Sequence, residues 1–197
     1  MGAMTWVLLA VGLLAVFWAV GAYNRLVRLK NAIANAFGQI DVQLKRRYDL
    51  IPNLVEVARK YLAHEAQTLE AVIAARNQAR SAEQTAAGSP LNAGALGALA
   101  GAEQMLGGAL GRLFAVAEAY PDLKADQTMR ELSEELASTE NRIGFARQAY
   151  NDHVLEFNDA AAQFPTLIVA RLFNFQPQAM LASTTSEAER APVKVSF

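Results

Sequence analysis

The sequence predicts an all-α protein: a single N-terminal transmembrane helix continuous with an antiparallel up-down-up-down bundle of long helices. Three observations predict it. Met4 to Ala22, "MTWVLLAVGLLAVFWAVGA", is an uncharged run of nineteen residues. Beyond it, apolar residues recur at steps of three and four, the spacing of helices that bury one face. Strand-like alternation of useful length is missing, since the terminal "VKVSF" has the period but is too brief. At 197 residues the chain suits one domain with an appendage. It divides into an anchor (1–22), a helical bundle (23–176) and an extended tail (177–197).

As a helix the apolar run spans about 28 Å, close to the hydrocarbon thickness of a bilayer. A secretory signal peptide is the rival reading, with Val20-Gly21-Ala22 as its cleavage site. That reading wants a basic region before the apolar core, and only the α-amino group is there. Arg25, Arg28 and Lys30 follow the run and no base precedes it. Bases resist translocation, so the N-terminus is expected outside and the bundle in the cytoplasm. Trp6, Trp18 and Tyr23 lie near the ends of the run, where amphipathic rings favour the interface.

The first bundle helix carries Ile33, Phe37, Ile40 and Leu44 on one face, and no breaker separates it from the anchor. A second stripe holds Leu54, Ala58, Tyr61, Leu62, Leu69, Val72 and Ile73. The third runs Leu96, Leu99, Glu103, Leu106, Leu110, Leu113, Ala117 and Tyr120. The fourth is the most regular, from Met129 through Leu136, Thr139, Ile143, Tyr150, His153 and Phe157 to Phe164. Ser89-Pro90, Pro121 with its neighbouring aspartates, and Phe164-Pro165 punctuate these stretches.

Between the first two stripes stands "IDVQLKRRYDLIPNL". Asp49, three residues before Pro52, is expected to cap a new helix. Pro52 then falls at a first-turn position where its missing N–H costs nothing. Lys45, Arg46 and Arg47 would occupy the last turn of the preceding helix, where cations suit the negative dipole end. A basic patch for a partner or an acidic ligand is the alternative for these three bases.

A formal net charge of −1 argues against a nucleic-acid partner. The charges are uneven, with residues 23–80 at +5 and residues 81–197 at −6. Two oppositely charged halves facing each other in one bundle account for this best, with pairing between protomers as the alternative. Cysteine is absent, which excludes disulfide and thiolate chemistry. His64-Glu65 has no second histidine at helical spacing, and His153 reads as a core residue rather than a ligand. No paired Glu-x-x-His motif or glycine-rich phosphate loop occurs, so no catalytic residue, metal site or cofactor is expected. Asn141, Arg142, Tyr150, Asn151 and Asn158 put polar groups beside the fourth stripe, where buried amides must be paired. Arg142 and Arg147 are expected to meet acids of the first two helices, Asp41 among them.

The third stretch holds Gly94, Gly97, Gly101, Gly107, Gly108 and Gly111. Each interior glycine costs about 1 kcal/mol against alanine. Either this helix is broken, or Gly97/Gly101 and Gly107/Gly111 admit the close approach of another backbone, in the same chain or in a second copy.

The segments "YNRLVRLKNAI", "IDVQLKRRYDLIPNLV", "HEAQTLEAVIAARNQA", "YPDLKAD" and "ENRIGFARQAYND" lie in order along nearly the whole chain. Together they resemble the LemA family, bacterial proteins with one N-terminal membrane segment and a helical body. The tail "EAERAPVKVSF" is similar to family C-termini, although Met180-Leu181 stands where the family often has an aromatic pair. The resemblance implies an all-α fold, an inner-membrane address and no defined chemistry. Two function classes fit. One is an envelope scaffold acting by self-association and partner binding, without catalysis. The other is an accessory subunit of a membrane protease or signalling complex, with "VSF" as its docking end. Finally, "FPTLIVARLFNF" packs Leu167, Ile168, Val169, Leu172, Phe173 and Phe175 into a dozen residues. An even number of bundle helices returns this segment to the bilayer, where it either folds back on the bundle or lies among the headgroups.

Overall fold

A computed structural model describes residues 2–181. Six helices follow in order: α1 (Ala3–Arg59), α2 (Ala66–Gly88), α3 (Ala93–Ala117), α4 (Pro121–Ala125), α5 (Gln127–Ala162) and α6 (Thr166–Leu172). No strand occurs among the described residues. The four long helices make the bundle, with α5 laid along α1, α2 paired with α3, and α2 packed on α1.

α1 is one uninterrupted helix of 57 residues, roughly 86 Å long. It has two regimes. The apolar run is long and apolar enough to cross a membrane, and its large side chains are exposed. Burial begins at Ala22 and continues through Leu26, Ile33, Phe37, Ile40, Leu44, Tyr48, Ile51, Val55 and Ala58. That stripe passes through Asp49 and Pro52 without a break, which corrects the expected helix boundary. Asp49 caps nothing and points outward, its side chain 75% exposed. Pro52 lies inside the helix, so the Tyr48 carbonyl loses its intrahelical donor. Arg76 of α2 supplies the replacement, donating Nε to that carbonyl at 2.9 Å. The actual turn comes at residues 60–65.

Side-chain caps fix the starts of two other helices. Asn92 accepts the Ala95 N–H at the start of α3, and Asp126 accepts that of Met129 at the start of α5. Asp126 also accepts the Tyr61 hydroxyl at 2.9 Å, tying the α1–α2 turn to the α4–α5 junction. α3 is continuous through its glycines, so the broken-helix reading does not hold.

On α5, Leu136, Thr139, Ile143, Tyr150 and Phe157 are buried as the periodicity requires, with Tyr150 edge-on to Phe37 across α1. Two positions depart from expectation. His153 is half-exposed beside Glu156, and Val154 takes the inward place. Phe164 lies beyond the helix end and faces out. Near the base, Tyr23 meets Phe173 and Phe175 at centroid distances of 4.8 and 5.6 Å, and Phe157 backs Phe175. The end of "FPTLIVARLFNF" therefore folds back onto the start of α1. Asn174 makes this bend with φ of 55°, a conformation asparagine tolerates.

Residues 176–181 then run extended along α5. Asn158 donates to the Gln178 carbonyl at 3.0 Å and accepts its N–H at 2.8 Å. Asn151 does the same to Leu181, with both bonds at 2.8 Å. Each side-chain amide thus acts as a peptide group for the strap. The register is geometric: seven helical residues rise about 10.5 Å, and three extended residues cover about 10 Å. Leu181 is buried while Met180 is exposed. The remainder of the tail, including "VKVSF", lies outside the described residues.

Candidate functional site: a charged hub at the head of a groove

Lys45, Arg46 and Arg47 are consecutive, so their side chains leave α1 about 100° apart. Inside a bundle that fan reaches three different helices. Lys45 pairs with Asp41 of its own helix at 2.6 Å and lies 3.7 Å from Glu83 of α2. Arg46 pairs with Glu135 of α5, its Nε bonding Oε1 at 3.1 Å. Arg47 is buried, and its Nη1 lies 2.9 Å from both Glu103 of α3 and Glu140 of α5. The bases thus belong mid-helix at a hub, and the expectation that they close a helix end is corrected. The charge imbalance has the expected origin, since bases before residue 81 face acids after it.

Glu103 is buried and doubly held, by Arg47 and by the Tyr48 hydroxyl at 2.6 Å. Burial, reinforced by the Glu103 charge, pushes the Tyr48 phenol far up, so Tyr48 is a fixed donor. Glu83 is the strained member. Burial, the bond to Asp41 and the charge of Asp41 raise its carboxyl to about 7. Burial also pulls Asp41 upward, but its bonds to Glu83 and Lys45 outweigh that and leave it lowered. With both carboxylates ionised, Asp41 Oδ1 and both Glu83 oxygens would be buried without a donor. One proton held between the two groups supplies the missing bond.

From Arg47, Glu103 and Glu140 a groove of about 580 Å³ opens between α3 and α5. Gly107, Gly108 and Gly111 form one wall, Leu136 and Ala137 the other, and Phe114 and Arg147 also line it. A Cβ added at any of these glycines, or at Gly97 and Gly101, would meet nothing within 4 Å. Among the described residues, then, no backbone approaches the glycine face. Gly101 lines a second hollow beside α2, with Ala98, Ala102 and Met105.

Arg142 does not do what was expected of it. One residue off the Ile143 stripe, it is exposed and makes no ion pair among the described residues. Asp41 is taken by Lys45 and Glu83, and Arg147 lines the groove. Glu83, Glu103 and Arg76 were not singled out as site residues. Glu103 and Glu83 had one signal, a carboxylate at an apolar-stripe position. Among the described residues no group of three or more potential metal ligands gathers.

This architecture defines a class: a bundle of long helices, led by a helix able to cross a membrane, with a buried charge hub where its four helices meet. The chain belongs to the LemA family, whose sequence profile matches residues 36–197. Protein LemA of Metamycoplasma hominis is 29% identical over 180 residues, covering 91% of this chain and 77% of that protein. Magnetosome protein MamQ of Magnetospirillum gryphiswaldense is 27% identical over 169 residues, covering 78% of this chain. A MamQ of Paramagnetospirillum magneticum is 26% identical over 172 residues. The chain spans 62% of the length of these magnetosome relatives.

Proposed function

We propose that the protein is a membrane-anchored scaffold of the bacterial envelope that works by binding rather than by catalysis. Its anchor spans the inner membrane with the N-terminus outside and the bundle in the cytoplasm, and its glycine-faced α3 seats a helix of a second copy. The observation that carries this reading is the uncovered glycine face. Glycines destabilise a helix interior, and nothing among the described residues uses the space they leave. A second α3 can, because small residues four apart let two backbones approach closely. Arg147 also lines the groove and would face that second copy.

The test is assembly size in mild detergent, with co-purifying proteins read alongside. Gly107→Leu with Gly111→Leu should give a smaller assembly with helicity kept. An unchanged size overturns self-association through this groove; the same comparison for Gly97→Leu with Gly101→Leu tests the neighbouring face. Orientation is tested by a cytoplasm-dependent reporter fused after Phe197, which should be active. The accessory-subunit reading rests on the "VSF" end, outside the described residues. Partner loss on its deletion, with assembly intact, would favour that reading.

A further inference from the structure

The base of the bundle carries an apolar surface that nothing among the described residues covers. α6 buries Val169 and Ala170 against the rest of the protein. Its other face is equally apolar and points away: Phe164 is 81% exposed, Ile168 57%, Leu172 76% and Phe173 53%. Ile168 and Leu172 are spaced four apart, so they line the outside of the helix, and Phe164 is exposed in the turn before it. In water such a line is an association surface or a liability.

Its position says what covers it. Phe173 packs at a tilt on Tyr23, one residue past the apolar run of α1. Ala22, the last residue of that run, is buried and Ala19 is half-buried, so packed protein reaches about a helical turn below the end of the run. α6 packs on both α1 and α5 at this level. Arg25, Arg28 and Lys30 on α1, and Arg171 on α6, stand exposed around the same end.

We propose that α6 and its preceding turn are a second membrane contact, a foot that seats Phe164, Ile168, Leu172 and Phe173 in the headgroup and upper acyl region beside α1. The occupant of this face is lipid. Four large apolar side chains at the depth where α1 leaves the bilayer, ringed by bases, match an interfacial helix. The strap fixes the foot in place: Phe175 is wedged between Tyr23 and Phe157, and Asn158 and Asn151 hold the residues that follow.

The chain has no cysteine, so single labels can be placed on the full-length protein. Leu172→Cys, carrying an environment-sensitive fluorophore, is reconstituted in phosphatidylcholine vesicles with and without phosphatidylglycerol. Spin-labelled lipid with its quencher high on the acyl chain should remove most of the Leu172 signal. Lipid with its quencher at the chain end should do much less, and a label at Ser138→Cys on α5 should respond to neither. Phosphatidylglycerol should deepen the quenching if the surrounding bases contribute. A Leu172 label quenched by aqueous iodide as fully as the Ser138 label would overturn the proposal. So would protection that appears only at high protein density, because a second copy would then cover the face. Ile168→Asn with Phe164→Asn keeps the buried side of the foot. In that variant lipid quenching at Leu172 should fall while helicity stays; unchanged quenching also refutes the foot.

Discussion

Replacing Glu83 by glutamine should stabilise the protein at neutral and alkaline pH and flatten its pH dependence. In the folded state Glu83 keeps its proton to about pH 7, against an ordinary value of 4.5. Between those values the folded protein binds more protons than the unfolded chain, so stability falls as pH rises. Below the lower value Glu83 costs nothing; above the upper one the full cost is present. At about 1.36 kcal/mol per unit, the difference amounts to about 3 kcal/mol. Asp41 acts in the opposite direction in a lower window. Its folded-state value lies below 3.8, so its contribution is present above that value and lost on acidification. The groups facing the pair are Lys45 on α1 and, across the hub, Arg47, Tyr48 and Glu103. Lys45, with Nζ 3.7 Å away, relieves Glu83 only in part, and the others serve Glu103. A glutamine amide donates to Asp41 Oδ1 at every pH. It forgoes the attraction to Lys45, which leaves an expected gain of about 2 kcal/mol at about pH 8. For a domain of this size that is about 4–8 °C in the midpoint. The assay is thermal unfolding followed by far-UV circular dichroism, on wild type and Glu83→Gln in the same detergent, from about pH 5 to about pH 8. A wild-type midpoint that does not fall over this range would refute the shared proton. A variant that falls as steeply as wild type would refute the assignment to Glu83.

Three further outcomes follow from the same geometry. Arg47→Met should cost about 3–5 kcal/mol, because it strands Glu103 as an unpaired buried charge; urea unfolding measures it, and adding Glu103→Gln should recover much of the loss. Arg76→Met should cost about 1–3 kcal/mol by orphaning the Tyr48 carbonyl. Pro52→Ala should abolish that cost, since residue 52 then donates to the carbonyl itself, and a double-mutant cycle reads the coupling. Asn151→Ala with Asn158→Ala should release the strap, so that a label at Met180→Cys gains mobility in its electron paramagnetic resonance spectrum while helicity is unchanged.

Helices were legible in this sequence because they rest on a repeated signal. The α3 and α5 stripes each contain six or more apolar positions in register, and a single discordant residue such as His153 cannot shift them. The α1–α2 boundary rested instead on two residues, Asp49 and Pro52, whose local preference favours a helix start. Packing overrode that preference. Tyr48, Ile51, Val55 and Ala58 keep one stripe running past the proline, and the missing bond is filled by Arg76, 28 positions away. No local rule contains Arg76. The hub was illegible for the same reason, since three consecutive bases read alike as a dipole cap, a surface patch or a fan. Only the positions of α2, α3 and α5 around α1 distinguish these. Asn151 and Asn158 were partly legible, because buried amides demand partners, but an extended strap as that partner leaves no periodic trace.

The continuity of α1 carries the consequence for function. Had the helix ended at Asp49, the bundle would hang from a joint, and its orientation to the membrane would be free. As one helix, it sets Arg47 about 25 residues beyond Ala22, or some 38 Å above the end of the apolar run. The groove between α3 and α5 begins at that residue, so its height above the bilayer is set by the length of a rod. A rod anchored at one end can still tilt and rotate. The second contact proposed beside it, at α6, would remove that freedom, because a rod and a point beside it define a plane. Under the proposed topology the groove would then face a constant direction relative to the surface, and copies in the same membrane would present their glycine faces at equal height. On that reasoning, disabling the foot should weaken self-association even though α6 touches no part of the groove. Phe164→Asn with Ile168→Asn should lower assembly in vesicles and leave it unchanged in detergent, where no surface orients the bundle. An equal effect in both media would mean that α6 contacts the partner directly, and that orientation plays no part.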